Sequence, residues 1–372
     1  MSTERARSFD RNRRAAIRRR ISQAVGTCAA LVVLSLSACT APQTNETSAT
    51  TSFTAMDTAM AITVYAHDQS EAGENLARCN EIVRELDKAL SPTEDGSWIA
   101  RLNAAEGEPL DVPSDVRELV VQAQETAEAT DGAFDPTVYP LTSAWGFTSG
   151  DYRTPANAEI EAALARVGFR AVHVDAASGA ISLEEGAQLD VGGIAKGYAA
   201  DRIVDELRER GASGALIDLG GNVTVLGAKP DKTPWTVGIA DPLDPASLAG
   251  TLRLAEATVS TSGDYQRFFI DDEGIRRHHI IDPKTGYPAE CGLSSVSVVA
   301  SSGARADALS TALFVLGTES AVDLWRTMQD DEASAFEAVL IARDGSILVT
   351  EGLSRSFTPD AAYEGSVETV RR

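Results

Sequence analysis

Leu189-Asp190-Val191-Gly192-Gly193-Ile194-Ala195-Lys196-Gly197-Tyr198-Ala199-Ala200-Asp201 is the stretch on which the reading of this chain turns. A carboxylate closes a short strand. Two glycines follow, and without Cβ atoms they let the backbone come very close to a ligand. A helix is expected from about Gly193 to Arg210, closed by Gly211. Its first N–H groups have no partner inside the helix and point at whatever lies before it, which suits a phosphate. Lys196 adds a movable positive charge in that first turn. Gly-Gly before a helix is common, so a plain turn with a solvated lysine competes with this reading.

Outward from this point, residues 61–66 alternate as a strand does. Leu76, Cys79, Ile82, Val83, Leu86 and Leu90 recur at helical spacing. A second helix is expected from Ser114 as N-cap to Asp131-Gly132, and a third through Ile160, Leu164 and Val167 to Gly168. Strands are expected at 171–175, 215–219, 223–226, 235–240, 266–270 and 295–300. Helices follow at 304–316 and 320–328, then short strands around Val339 and Ile347. Helices early and neighbouring strands later favour an α+β fold over a parallel βαβ repeat. Nothing between residues 53 and 361 reads as a linker, so these residues are expected to form one domain, with 362–372 as a tail.

The N-terminus reads as a targeting segment. Residues 1–38 carry eight arginines against Glu4 and Asp10, a net of +6, so their removal takes the formal charge from −22 to −28. An acidic body of that kind repels a polyphosphate chain, so no nucleic acid is expected as a partner. An apolar run, too short to span a bilayer comfortably, ends in Leu36-Ser37-Ala38-Cys39. Small residues before a cysteine resemble the lipobox of bacterial lipoproteins, in which the cysteine is lipidated. Residues 39–52 would then be a flexible tether and the body would sit on the outer side of the cell membrane. Cys79 and Cys291 remain in the body, and two free buried thiols is the plainer reading of them.

Four further segments carry candidate chemistry. In Ala304-Arg305-Ala306-Asp307-Ala308-Leu309-Ser310-Thr311, a helix puts Asp307 and Thr311 at i and i+4 on one face. Such a hard oxygen pair suits Mg²⁺, although a dipole-favoured aspartate and a back-bonding threonine would look the same. Arg277-His278-His279-Ile280-Ile281-Asp282-Pro283-Lys284-Thr285-Gly286-Tyr287-Pro288 holds two of the four histidines and a tight turn. Adjacent strand residues face opposite ways, so one histidine is a candidate base and the other is structural or exposed. Gly132-Ala133-Phe134-Asp135-Pro136-Thr137-Val138 and Ile217-Asp218-Leu219-Gly220-Gly221-Asn222 could each be an ordinary turn.

In this order the segments resemble the ApbE family, the FAD:protein FMN transferases. Met56-Asp57-Thr58, Ser97-Trp98-Ile99-Ala100-Arg101-Leu102-Asn103 and Thr261-Ser262-Gly263-Asp264-Tyr265 complete the pattern. The match runs over roughly residues 53–350. It implies the family's α+β body, often compared with T-folds, with mostly antiparallel sheets and flanking helices. It also implies an FAD site lined by Met56, Ala133, Phe134, Asp135, Asp190, Lys196 and Ile281. Mg²⁺ would be held by the Gly193 carbonyl, Asp307 and Thr311. Three departures stand out: Asp57 replaces a usual glycine, Trp98 replaces a usual glutamate, and no aromatic stands among Ser91-Pro92-Thr93-Glu94.

The reaction so implied is attack of a target threonine hydroxyl on the FMN phosphorus of FAD, with AMP leaving. Its partners are FAD and an exported or membrane redox protein. An FAD pyrophosphatase and a non-catalytic flavin-binding lipoprotein are the alternatives. His279 precedes Ile281 by two residues and shares its face in a strand, which makes it the candidate base. Asp307, taken as a surface-facing ligand, is expected to be replaceable by alanine without harm to the fold.

Overall fold

The computed structural model describes residues 47–372 apart from 245, 332 and 333. The lipobox and Cys39 lie outside the described residues. The chain enters on a hairpin, β1 (Thr47–Ala55) and β2 (Thr58–Ala66). Its two turn residues, Met56 and Asp57, both have left-handed φ, +46° and +57°, as a tight two-residue hairpin turn demands. Asp57 therefore stands where a glycine is easiest to hold, and aspartate is among the few side chains that tolerate the position. Residues 47–52, expected as tether, belong to β1 instead: they pair with 61–66 along the whole strand.

Seven helices follow among the described residues. They are α1 (Gln69–Leu90), α2 (Trp98–Asn103), α3 (Ser114–Ala129), α4 (Tyr139–Ala144), α5 (Asn157–Leu164), α6 (Ala195–Glu209) and α7 (Gly303–Met328). Asp68 caps α1 by accepting from the Ser70 and Glu71 amides. Ser114 is the first residue of α3 rather than its cap, which falls at Pro113. The two helices expected near the C-terminus are one element, α7, broken at Gly317, whose φ of +73° only glycine holds without strain.

Between α5 and α6 lies a small hairpin, β3 (Val172–Val174) with β4 (Ile181–Leu183). After α6 come β5 (Gly214–Leu219), β6 (Val223–Leu226), β7 (Trp235–Ala240), β8 (Leu248–Leu254), β9 (Ala257–Gly263), β10 (Phe268–Ile270), β11 (Arg276–His278) and β12 (Leu293–Ala300). β13 (Glu337–Ala342), β14 (Ile347–Thr350), β15 (Phe357–Pro359) and β16 (Val367–Val370) follow α7. Nine strands form one sheet in the order β1-β2-β5-β6-β9-β12-β13-β14-β16, antiparallel except for the last pair. The expected C-terminal tail thus supplies an edge strand. β15-β8-β7 form a second sheet.

Apolar alternation shows why these layers stack. In β12, Val296 and Val298 face a core shared with α7, while Val299 faces a core shared with β7 and β8. Covered on both sides, β12 is buried along its whole length. On the helical side Met60, Ile62 and Val64 of β2 meet the apolar stripe of α1, the six residues expected from its spacing. The fold is α+β, a mostly antiparallel sheet with helices on one face and a smaller sheet on the other.

Candidate active site

Helices α6 and α7 cross where two glycines meet. A Cβ on Gly197 would lie 2.0 Å from the Gly303 carbonyl oxygen, and one on Gly303 would lie 2.4 Å from the Gly197 oxygen. Only backbone fits there. Asp201, one turn further along α6, accepts from the Gly303 and Ala304 amides and the Ser302 hydroxyl, and so caps α7 from the neighbouring helix. The close crossing brings Asp307, four residues after Gly303, onto the start of α6.

There Asp307 Oδ2 accepts from the Gly197 N–H at 3.0 Å. In a regular helix that N–H would close on the Gly193 carbonyl. Among the described residues nothing donates to the Gly193 oxygen, and the N–H groups of Gly193 and Lys196 find no protein acceptor. Two N–H groups and a carbonyl are thus left open in one turn. Thr311 Oγ1 lies 3.5 Å from the Cβ position of Gly193, and Phe134 Cε2 lies 3.2 Å from it. Asp307, Thr311, Gly193 and Phe134 are therefore neighbours, as the sequence pattern expects. Asp307 is only 5% exposed, however, and its Oδ1 accepts from Asn222 Nδ2 at 2.8 Å and Ser260 Oγ at 3.0 Å. The carboxylate is therefore not surface-facing as expected, and three buried donors depend on it.

Asp190 lies just before this turn, two residues after Gln188, which makes a single bridge to Val138 where a short strand was expected. Its Oδ1 accepts from the Gly192 N–H at 3.0 Å and its Oδ2 from Thr142 Oγ1 at 3.0 Å. Asn103, last residue of the Ser97–Asn103 block, clamps the backbone just before it, donating to the Leu189 carbonyl and accepting from the Leu189 N–H. Trp98, in the place of the usual glutamate, stacks under the Arg101 guanidinium at 3.9 Å. Met56 is half-buried at the β1–β2 turn, next to Thr58, which packs on Gly220 of the Gly220-Gly221-Asn222 turn. Ala133 and Phe134 are buried. The Asp135 side chain is turned inward: it accepts from the Thr137 amide and hydroxyl and from the Phe169 amide, and burial pushes its carboxyl above the ordinary range. It shapes the loop that presents Phe134, and its own oxygens are occupied.

His278 is the last residue of β11, and His279 lies in the bend that follows it rather than in the expected strand. His278 is buried; its Nε2 donates to the Ala289 carbonyl at 3.0 Å and its ring meets the edge of Phe314. Burial takes its pKa down to about 4. His279 is half-buried, edge-on to Phe147. Its Nδ1 lies 3.2 Å from the Arg267 carbonyl, which can only accept, so Nδ1 carries the proton and Nε2 keeps its lone pair. Desolvation, the Arg267 charge, His278 and Lys196 together hold its pKa down to about 3. That is well below the near-neutral value a histidine base suggests. Ile281 pairs with Pro288 and is buried among Leu141, Trp145 and Phe147.

Asn222 and Ser260 carry no role in the sequence reading. They reach Asp307 from the β5–β6 turn and from β9, 85 and 47 residues away in the chain, and no spacing rule relates them. Cys79 and Cys291 are free thiols. Cys79 is fully buried, which raises its pKa to about 12, and Cys291 is half-buried.

The chain is similar to known proteins over most of its length. Residues 56–336 match the model of the ApbE family. The FAD:protein FMN transferase of Klebsiella pneumoniae is 32% identical over 313 residues, 83% of this chain and 94% of that protein. The one from Treponema pallidum is 36% identical over 309 residues, 78% of this chain and 84% of that protein. A crystal structure of the ApbE protein of Thermotoga maritima superposes with a TM-score of 0.75 at 33% identity, covering 82% of this chain and 98% of that one. The apo flavinyl transferase ApbE of Pseudomonas stutzeri gives 0.71 at 31% identity, over 86% and 97%. The chain belongs to the ApbE family.

Proposed function

We propose that this chain cleaves FAD at its pyrophosphate and transfers the FMN half to a threonine hydroxyl of an exported or membrane redox protein, releasing AMP. The relatives' names supply the flavin donor and the protein acceptor. The observation in this chain that carries the reading is the opened first turn of α6. The Gly193 and Lys196 N–H groups lack protein acceptors there. With the Lys196 ammonium they form an anion site of the kind a pyrophosphate fills.

The same turn fits Mg²⁺. The Gly193 carbonyl, a carboxylate oxygen of Asp307 and the Thr311 hydroxyl are hard donors. Among the described residues no three His, Cys, Asp or Glu side chains gather at one point, so phosphate oxygens and water would complete the shell. A Mg²⁺ held by these residues would supply neutralisation of phosphate charge as AMP departs. His279 Nε2 takes the proton of the incoming threonine hydroxyl as its oxygen bonds to the FMN phosphorus. The bond from that phosphorus to the bridging oxygen breaks, and AMP leaves with the electron pair. Met56, Ala133, Phe134, Asp135, Asp190 and Ile281 shape the FAD site around this centre.

Anchoring through lipidated Cys39 places the body at the outer face of the cell membrane, where such acceptors reside. Chromatography of the nucleotides tests the reaction. With FAD, Mg²⁺ and an acceptor domain, AMP should accumulate without an equal amount of free FMN. Equal release of both, unaffected by the acceptor, identifies a pyrophosphatase instead.

A further inference from the structure

Asp307 is held by more than its own helix. Each carboxylate oxygen offers two lone-pair directions. Oδ1 uses both, accepting from Asn222 Nδ2 at 2.8 Å and from Ser260 Oγ at 3.0 Å. Oδ2 uses one, for the Gly197 N–H. Asn222 and Ser260 are 2% and 0% exposed, so water does not compete for these bonds. The Asn222 amide cannot flip without loss, because its Oδ1 accepts from the Thr261 N–H. Its NH₂ is therefore fixed toward Asp307.

We infer that Asn222 and Ser260 are positioning residues for the metal site: by saturating Oδ1 they leave Oδ2 as the single carboxylate oxygen that binds the cation. This rests on the Mg²⁺ reading of Asp307 given above. Mg²⁺ demands near-ideal geometry and rejects a carboxylate that rocks between one-oxygen and two-oxygen contact. A carboxylate clamped at three points presents one oxygen in one direction. Groups that orient a ligand in this way typically change metal affinity 10- to 100-fold when removed.

The test titrates Mn²⁺, standing in for Mg²⁺, into the full chain loaded with FAD in the absence of acceptor, with free Mn²⁺ read by electron paramagnetic resonance. Ser260→Ala and Asn222→Leu should each weaken Mn²⁺ binding about tenfold or more, while FAD affinity measured in EDTA stays at the wild-type value. A purely structural role would lower the melting temperature and leave the Mn²⁺ affinity of the folded fraction alone, and that result overturns the inference. Should Asn222→Leu not fold, Ser260→Ala, which deletes one oxygen, decides by itself. Wild type and Asp307→Asn separate the two levels of the argument. If wild type binds no Mn²⁺, or Asp307→Asn binds it equally well, the metal reading fails and the inference with it. If that site stands and both positioning variants bind as wild type does, only the inference fails.

Discussion

Replacing Asp307 by alanine removes an acceptor from three buried donors at once, the Gly197 N–H, the Asn222 amide and the Ser260 hydroxyl. The hydroxyl can rotate to another partner. The other two are fixed in direction, and an orphaned buried donor costs about 1–3 kcal/mol. Water entering the polar hole recovers part of this, so the expected loss is about 2–4 kcal/mol. For a body of this size that is roughly 3–6 °C of melting temperature. Asp307→Asn keeps one oxygen for Asn222 and Ser260 and sets an NH₂ against the Gly197 N–H, so it orphans a single donor and costs about 1–3 kcal/mol. Both variants should lose Mg²⁺-dependent release of AMP from FAD. Urea denaturation of the three proteins, run beside an AMP assay, reads both effects. An alanine variant as stable as wild type would mean that the carboxylate does not hold the α6–α7 crossing. Full turnover in the asparagine variant would remove Asp307 from the metal site.

His279→Ala should slow FMN transfer about 10²- to 10⁴-fold, the range for loss of a positioned base, with FAD still bound. His278→Ala in the same single-turnover assay should be far milder, and the reverse ranking would assign the base to the wrong ring. With the His279 pKa down to about 3, kcat/KM for FAD should show no acid limb from this base between pH 5 and 8; a limb near 6.5 would contradict its desolvated setting. His278 stays neutral in the fold and is protonated in the unfolded chain below about pH 6.5. Its contribution is therefore full above that pH and is lost as pH falls toward about 4, about 3 kcal/mol in all. His278→Phe should flatten that slope in acid denaturation, and an unchanged slope would locate the acid sensitivity elsewhere. Gly197→Ala, with its Cβ 2.0 Å from the Gly303 oxygen, must push α6 from α7 at a cost of about 1–3 kcal/mol or more; wild-type stability and turnover would contradict the crossing. Cys39→Ser should leave the membrane fraction, and retention there with lipid attached would refute the anchor.

Much of this was legible in the sequence because the signals are local. The stripe Leu76 to Leu90, the glycine pair before α6 and the spacing of Asp307 and Thr311 each depend on residues within a few turns of one another. That one of the two adjacent histidines is buried and the other is not was legible too, although the strand expected to carry both ends at His278. What was not legible depends on distant contacts. The burial of Asp307 comes with Asn222 of the β5–β6 turn and Ser260 of β9 closing on it, and the inward turn of Asp135 from the Phe169 amide. Residues 47–52 and 367–370 look like polar flanks because edge strands carry few apolar residues. Only pairing with β2 and β14 reveals them as sheet.

The claim that most needs an answer is that the FMN half ends on another protein. The intact mass of an acceptor domain, taken before and after incubation with the full chain, FAD and Mg²⁺, answers it. The account predicts a gain equal to FMN less one water, in wild-type acceptor and not in one whose target threonine is changed to valine. An acceptor of unchanged mass, with FAD consumed and FMN free in solution, would contradict it.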